Sequence, residues 1–115
     1  MLVGDLHPKR DFTDVRDVVR AYDCILELPK RAPIYNVSSG HAISIRELLE
    51  TMLQLSGLEV ALQTDAARLR RNEIPIVTGD SSAVRRDTGW SPVIPLEQTL
   101  GDLLAYWKAR VQATK

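Results

Sequence analysis

The chain has 115 residues, enough for one domain and no more. Its 15 Lys and Arg balance 15 Asp and Glu, which argues against a basic field that would recruit nucleic acid or an anionic membrane. Its single cysteine, Cys24, excludes an internal disulfide, and with His7 and His41 it forms no metal-ligand spacing.

Leu2 to Leu6 reads as a short strand, followed by a loop at Pro8. Asp14 reads as a helix N-cap, with Asp17 placed to face the free amides of the first turn. Val15, Val18, Val19, Tyr22, Ile25 and Leu26 recur at helical spacing, and Pro29 ends that helix. Ile34 to Val37 is strand-like, and Ser38-Ser39-Gly40 turns the chain. A capping box, Ser44 to Glu47, opens a second helix that closes at Gly57. Leu58 to Gln63 alternates as a half-buried strand does, and Ile74 to Val77 reads as another short strand. Asp80 caps a short helix that stops near Gly89. Trp90 to Pro95 is an extended connector, and a last helix covers about 96 to 112.

The six glycines are too scattered for a dinucleotide fingerprint or a Walker loop. No tyrosine stands four residues ahead of a lysine, and no nucleophile elbow is present. His7 and His41 read as loop residues and Cys24 as a buried structural thiol. No apolar run is long enough to span a bilayer, and MLVGDLHPKRD lacks a cleavable apolar leader, so the expected location is cytoplasmic.

Two segments remain with ligand chemistry. Lys9 to Asp17 sets Arg10 in a loop just before a helix N-terminus, and both features attract anions. Asp65 to Pro75 holds Arg70 and Glu73 three apart. A guanidinium there suits phosphate oxygens and a carboxylate suits ribose hydroxyls. Spacing alone makes neither specific, and Trp90 beside Gly89 reads as a packing corner.

Read in order, KRDFTDVRDVVRAY, IYNVSSG, SIRELL, DAARLRRNEIP, GDSSAVRRDTGWSP and IPLEQTLGDLLAYW resemble consecutive blocks of the extended short-chain dehydrogenases/reductases that act on nucleotide sugars. They are most similar to the GDP-mannose 4,6-dehydratases and GDP-4-keto-6-deoxy-mannose reductases. The resemblance implies an α/β fold: the small mixed substrate-binding region of that family, lacking most of the Rossmann sheet, as one domain over 1–115. It implies GDP-sugar binding through Arg10, Arg70 and Glu73, with Arg71 and Ala66 standing where the family has prolines and Asp5 where asparagine is usual. The glycine loop and the Ser/Thr–Tyr–Lys set of the family are not encoded. The chain is therefore expected to bind no cofactor and to be inactive alone, NADP belonging to the full-length family. The helix and strand within residues 1–40 are implied to pack on the Rossmann half. Expected partners are a second copy of the chain or a complementary Rossmann-domain chain. The alternatives are a subunit of a split enzyme, or a truncated product that oligomerises without a ligand.

Overall fold

The computed structural model of the chain describes residues 1–69 and 73–113. In chain order the elements are β1 (Leu2–Val3), β2 (Lys9–Asp11), α1 (Val15–Leu26), β3 (Ala42–Ser44), α2 (Ile45–Ser56), β4 (Gln63–Thr64), a 3-10 turn (Ala66–Arg68), α3 (Ser82–Thr88) and α4 (Leu96–Ala113). Parallel β1 and β4 form one two-stranded sheet, with Leu2 opposite Gln63. Antiparallel β2 and β3 form the other, with Arg10 opposite Ile43. Lys9 also bridges Ile76 in parallel. The result is the small mixed α/β arrangement that the sequence implies.

Local chemistry sets the helix ends. The Asp14 carboxylate accepts from the Arg16 amide at 2.8 Å and starts α1. Ser44 Oγ accepts from the Glu47 amide at 3.1 Å and starts α2. Gly57 stops α2 at φ 71° and Gly89 stops α3 at φ 76°, a left-handed conformation that glycine adopts without a Cβ penalty. Ser81 is the N-cap of α3, yet its side chain makes no capping bond. Asp80 accepts the Ser82 amide at 2.9 Å instead.

The core gathers where α1, α3 and the Trp90 corner meet. Ala21, Val84 and Trp90 are buried there, with Cys24, Ile25, Tyr35 and Val37 packed around them. Cys24 is half-buried at the edge of this cluster rather than enclosed. Trp90 Nε1 donates to the Asp17 carbonyl at 3.0 Å, and the Arg20 and Arg85 guanidiniums lie 5.8 and 5.9 Å from the ring centre.

Asp17 is 1% exposed and does not serve its own helix amides. Its carboxylate accepts from the Val93 amide at 3.2 Å, the Ile94 amide at 3.0 Å and Arg20 Nη2 at 2.9 Å. The connector after Trp90 has no strand neighbour, so its inward amides need an acceptor from elsewhere. Burial pushes the Asp17 carboxyl up, but the bonds from Arg20, Ile94 and Val93 outweigh it and hold the group below the usual range.

Several expected strands shrink or vanish. The first strand ends at Val3, because the Asp5 carboxylate folds back on the His7 amide at 3.0 Å. Residues 34–37 form no strand, and Tyr35 instead fixes the segment by donating to Asp87 at 2.7 Å. Of the alternating run 58–63 only Gln63 enters a strand, and Leu58 and Val60 are not covered by any of the described residues and stay exposed. Residues 74–77 contribute the single bridge at Ile76. The β2–β3 pair was not expected at all.

The interior is thin. Leu6, Ala21, Val84, Trp90 and Leu100 are the buried apolar residues of the described chain. The radius of gyration is 17.4 Å, against about 13 Å for a compact domain of this length. No described helix is long and apolar enough to cross a membrane.

Candidate functional site

The site begins on β2. Arg10 Nη2 donates to Glu73 Oε1 at 2.6 Å, joining residues 63 positions apart, and Arg10 Nη1 donates to the Lys9 carbonyl at 2.8 Å. The two paired side chains are 25% and 29% exposed, so solvent and a ligand reach both. The backbone holds the Glu73 segment in place. The Lys9 amide donates to the Pro75 carbonyl at 2.7 Å, and the Val77 amide donates to the Lys9 carbonyl at 3.0 Å.

Around the pair lies a cleft of about 230 Å³, lined by Gly4, Asp5, Pro8, Arg10, Ile45, Arg68 and Glu73. Its floor is a close approach: a Cβ on Gly4 would sit 3.3 Å from the Arg68 carbonyl oxygen. The Asp65 amide donates to the Val3 carbonyl at 2.8 Å and fastens the 3-10 turn against β1. Pockets for whole drug-sized ligands run to roughly 300–1,000 Å³. The cleft therefore fits a phosphate and sugar portion better than a whole nucleotide sugar.

The charges lining the cleft balance. Arg10 and Arg68 face Asp5 and Glu73. Arg68 Nε also lies 3.4 Å from Asp65, and Asp5 lies 2.8 Å from His7 Nδ1. An arriving anion must share Arg10 with Glu73 or draw on further cations. Arg70, the third residue expected here, lies outside the described residues, as does Arg71.

One residue along from Arg10, Asp11 fixes the strand from the other side. Its carboxylate accepts from the Ser39 amide and hydroxyl, the Gly40 amide at 2.9 Å and the Gly79 amide at 3.2 Å. Burial raises this carboxyl, and the bonds from Ser39, Gly79 and Gly40 more than reverse that. Two chain segments, at Ser39–Gly40 and at Gly79, are thus pinned behind the strand that carries Arg10.

The structure brings Arg10 and Glu73 together, which their sequence spacing did not reveal. It adds Arg68 and Gly4, which the sequence had not placed in the site. The signal for Arg68 was available: Asp65 caps a single turn, accepting the Ala67 amide at 3.0 Å, and that turn carries Arg68 round to the cleft. The chemistry on offer is that of an anion and hydroxyl binder, with two guanidiniums and two acceptor carboxylates around a partly open cleft.

Short paired strands with four α-helices among the described residues are the arrangement of the C-terminal part of an extended short-chain dehydrogenase/reductase. The family described as GDP-mannose 4,6 dehydratase matches residues 1–103. GDP-6-deoxy-D-mannose reductase of Pseudomonas aeruginosa is 39% identical over 110 residues, covering 96% of this chain and 36% of that protein. dTDP-4-dehydro-6-deoxyglucose reductase of Escherichia coli is 28% identical over 104 residues, covering 90% of this chain and 32% of its own length. The structure of RMD from Pseudomonas aeruginosa complexed with NADPH superposes with a TM-score of 0.88 at 36% identity, over 96% of this chain and 36% of that one. The chain belongs to the GDP-mannose 4,6-dehydratase family, within the NAD-dependent epimerase/dehydratases, and spans about a third of the length of these relatives.

Proposed function

We propose that this chain is a single nucleotide-sugar-binding domain, and that it holds the diphosphate and ribose of a GDP-sugar with Arg10, Arg70 and Glu73. The observation that carries this reading is the convergence of Arg10 and Glu73, at 2.6 Å, on a cleft at the end of β1. On binding, Arg10 turns from Glu73 toward phosphate oxygens. Arg70 adds the cation that the balanced lining lacks, and the released Glu73 carboxylate accepts from the ribose hydroxyls. A charge-assisted bond of this kind contributes roughly 1.5–3 kcal/mol. In this reading the nicotinamide cofactor and the hydride chemistry belong to the part of the relatives that this chain does not span. The chain itself neither holds NADP nor turns over a sugar nucleotide.

The test is calorimetric titration with GDP-mannose, GDP and UDP-glucose, repeated with Arg10→Ala, Arg70→Ala and Glu73→Ala. GDP and GDP-mannose are expected to bind, and each substitution to weaken them by about 10- to 100-fold. UDP-glucose serves to read the base preference, because a relative named for a dTDP-sugar shares the fold region. Absence of heat with every nucleotide, or binding indifferent to all three substitutions, refutes the assignment.

A further inference from the structure

The cleft has two walls, and among the described residues each brings one guanidinium to it. Gly4, Asp5 and Arg68 come from the end of β1 and the 3-10 turn fastened beside it, and Pro8, Arg10 and Glu73 come from β2 and the segment bonded along it. The two cations differ in how far they are already engaged. Arg10 commits Nη1 to the Lys9 carbonyl at 2.8 Å and Nη2 to Glu73 at 2.6 Å. Arg68 makes one side-chain bond, from Nε to Asp65 at 3.4 Å, longer than the ~2.7–3.2 Å of a normal N–H···O bond. Among the described residues its Nη1 and Nη2 donate to nothing.

The backbone under Arg68 is held while the fork at the end of its side chain is open. The Arg68 amide donates to the Asp65 carbonyl at 2.9 Å, and the Asp65 amide donates to the Val3 carbonyl at 2.8 Å. The Arg68 carbonyl oxygen also lies against Gly4, where a Cβ would stand 3.3 Å away. A planar fork on a fixed turn loses little but side-chain freedom when it takes a ligand. The pair with Asp65 competes weakly, because the two side chains are 61% and 30% exposed and water screens them.

We propose that Arg68 takes the second phosphate of the nucleotide, so that the cleft tells nucleoside diphosphates from monophosphates, an assignment that rests on this cleft being the nucleotide site. With Glu73 accepting from the ribose, its partner Arg10 meets the phosphate next to that ribose, on the β2 wall. The distal phosphate then reaches the β1 wall, where the open fork of Arg68 takes two of its oxygens in parallel. A monophosphate engages one wall and a diphosphate engages both. Charge points the same way. Arg10 and Arg68 balance Asp5 and Glu73, so a further phosphate needs donors not already tied at short range to a carboxylate, and Arg68 supplies them.

Calorimetric titration with GMP, GDP and GDP-mannose tests this on the wild type, Arg68→Ala and Arg68→Lys. The wild type is expected to prefer GDP to GMP by about 10- to 100-fold, the factor of one charge-assisted contact. Arg68→Ala is expected to reduce that preference to about threefold or less while GMP binds as before. Arg68→Lys keeps the charge without the fork and is expected to recover part of the preference. The screened pair with Asp65 adds little to the fold, so the far-ultraviolet spectrum is expected to stay unchanged. Arg68→Gln, which keeps the stem, carries the same expectation as Arg68→Ala and replaces it where truncation alters the spectrum. A wild type that binds GMP and GDP equally overturns the proposal. So does an undiminished GDP preference in Arg68→Ala, or an equal weakening of GMP and GDP, which reports a general field rather than a contact. If Arg10→Ala and Glu73→Ala still weaken every nucleotide in those cases, the nucleotide site stands and the role of Arg68 alone falls. Absence of binding by the wild type to all three nucleotides overturns both.

Discussion

Asp17→Ala is the substitution that most directly tests how the fold is held. The change removes the acceptor of the Val93 and Ile94 amides, bonded at 3.2 and 3.0 Å, in a place where the carboxylate is 1% exposed. Each buried amide left without a partner costs about 1–3 kcal/mol. The Arg20 side chain is 40% exposed and regains water, so its lost ion pair adds little. The expected loss is therefore about 2–5 kcal/mol for Asp17→Ala, and about half of that for Asp17→Asn, which keeps one acceptor oxygen. Five buried apolar residues put the chain at the low end of domain stabilities, about 5 kcal/mol, so Asp17→Ala is expected to unfold at a much lower urea concentration than the wild type. Urea titration followed by far-ultraviolet circular dichroism, with the slope checked for constancy, gives the difference. A shift below about 0.5 kcal/mol at unchanged slope refutes the claim that this carboxylate holds the connector.

Three further outcomes follow from the same structure. Trp90→Phe keeps most of the ring volume but leaves the Asp17 carbonyl without its 3.0 Å donor, and is expected to cost about 1–3 kcal/mol by the same urea assay. Gly79→Ala would place a Cβ 2.5 Å from the Ser38 Cβ and Oγ, and is expected to cost about 1–3 kcal/mol, whereas Gly101→Ala, with open space around it, is expected to be neutral or stabilising. Asp11, Asp14 and Asp17 are all held below the ordinary carboxyl range in the folded chain. Their contribution is present above the unfolded value of about 3.9 and is lost as pH falls through the folded values. Stability measured against pH is thus expected to be flat from about 6 to 5 and to drop below about 4. In Asp14→Asn the drop is expected to be shallower.

The helices were legible because their signals are local. Asp14, Ser44 and Gly57 act within one turn of the residues they cap, and those signals place the start of α1 and both ends of α2 within a residue of where they are observed, whereas α1 stops at Leu26, short of Pro29. The strands were not legible because their cause is distant. Lys9 to Asp11 carries no apolar alternation, and it is a strand only because Ala42 to Ser44 lies alongside. Residues 58–63 show the reverse: alternation without a covering layer makes no sheet. Asp17 was read as a dipole partner, and only the fold reveals amides 76 and 77 positions away. In the candidate site, family resemblance supplied Arg10 and Glu73 as separate ligands. Their contact with each other depends on the Lys9–Pro75 hydrogen bond, which no local pattern encodes.

The clamp on Asp11 has a consequence for how this region tolerates change. Neighbouring residues of a strand point to opposite faces, so Arg10 and Asp11 divide one short strand between ligand and scaffold. Sliding β2 by a single position would exchange them, aiming a carboxylate at the cleft and a guanidinium at the Gly40 and Gly79 amides. Both errors would arise at once, and neither could be mended by a compensating charge on one side. Single-residue insertions between Pro8 and Asp14 are therefore excluded by parity, whereas the long exposed stretch from Leu58 to Ala61, free of that constraint, can change length without inverting anything.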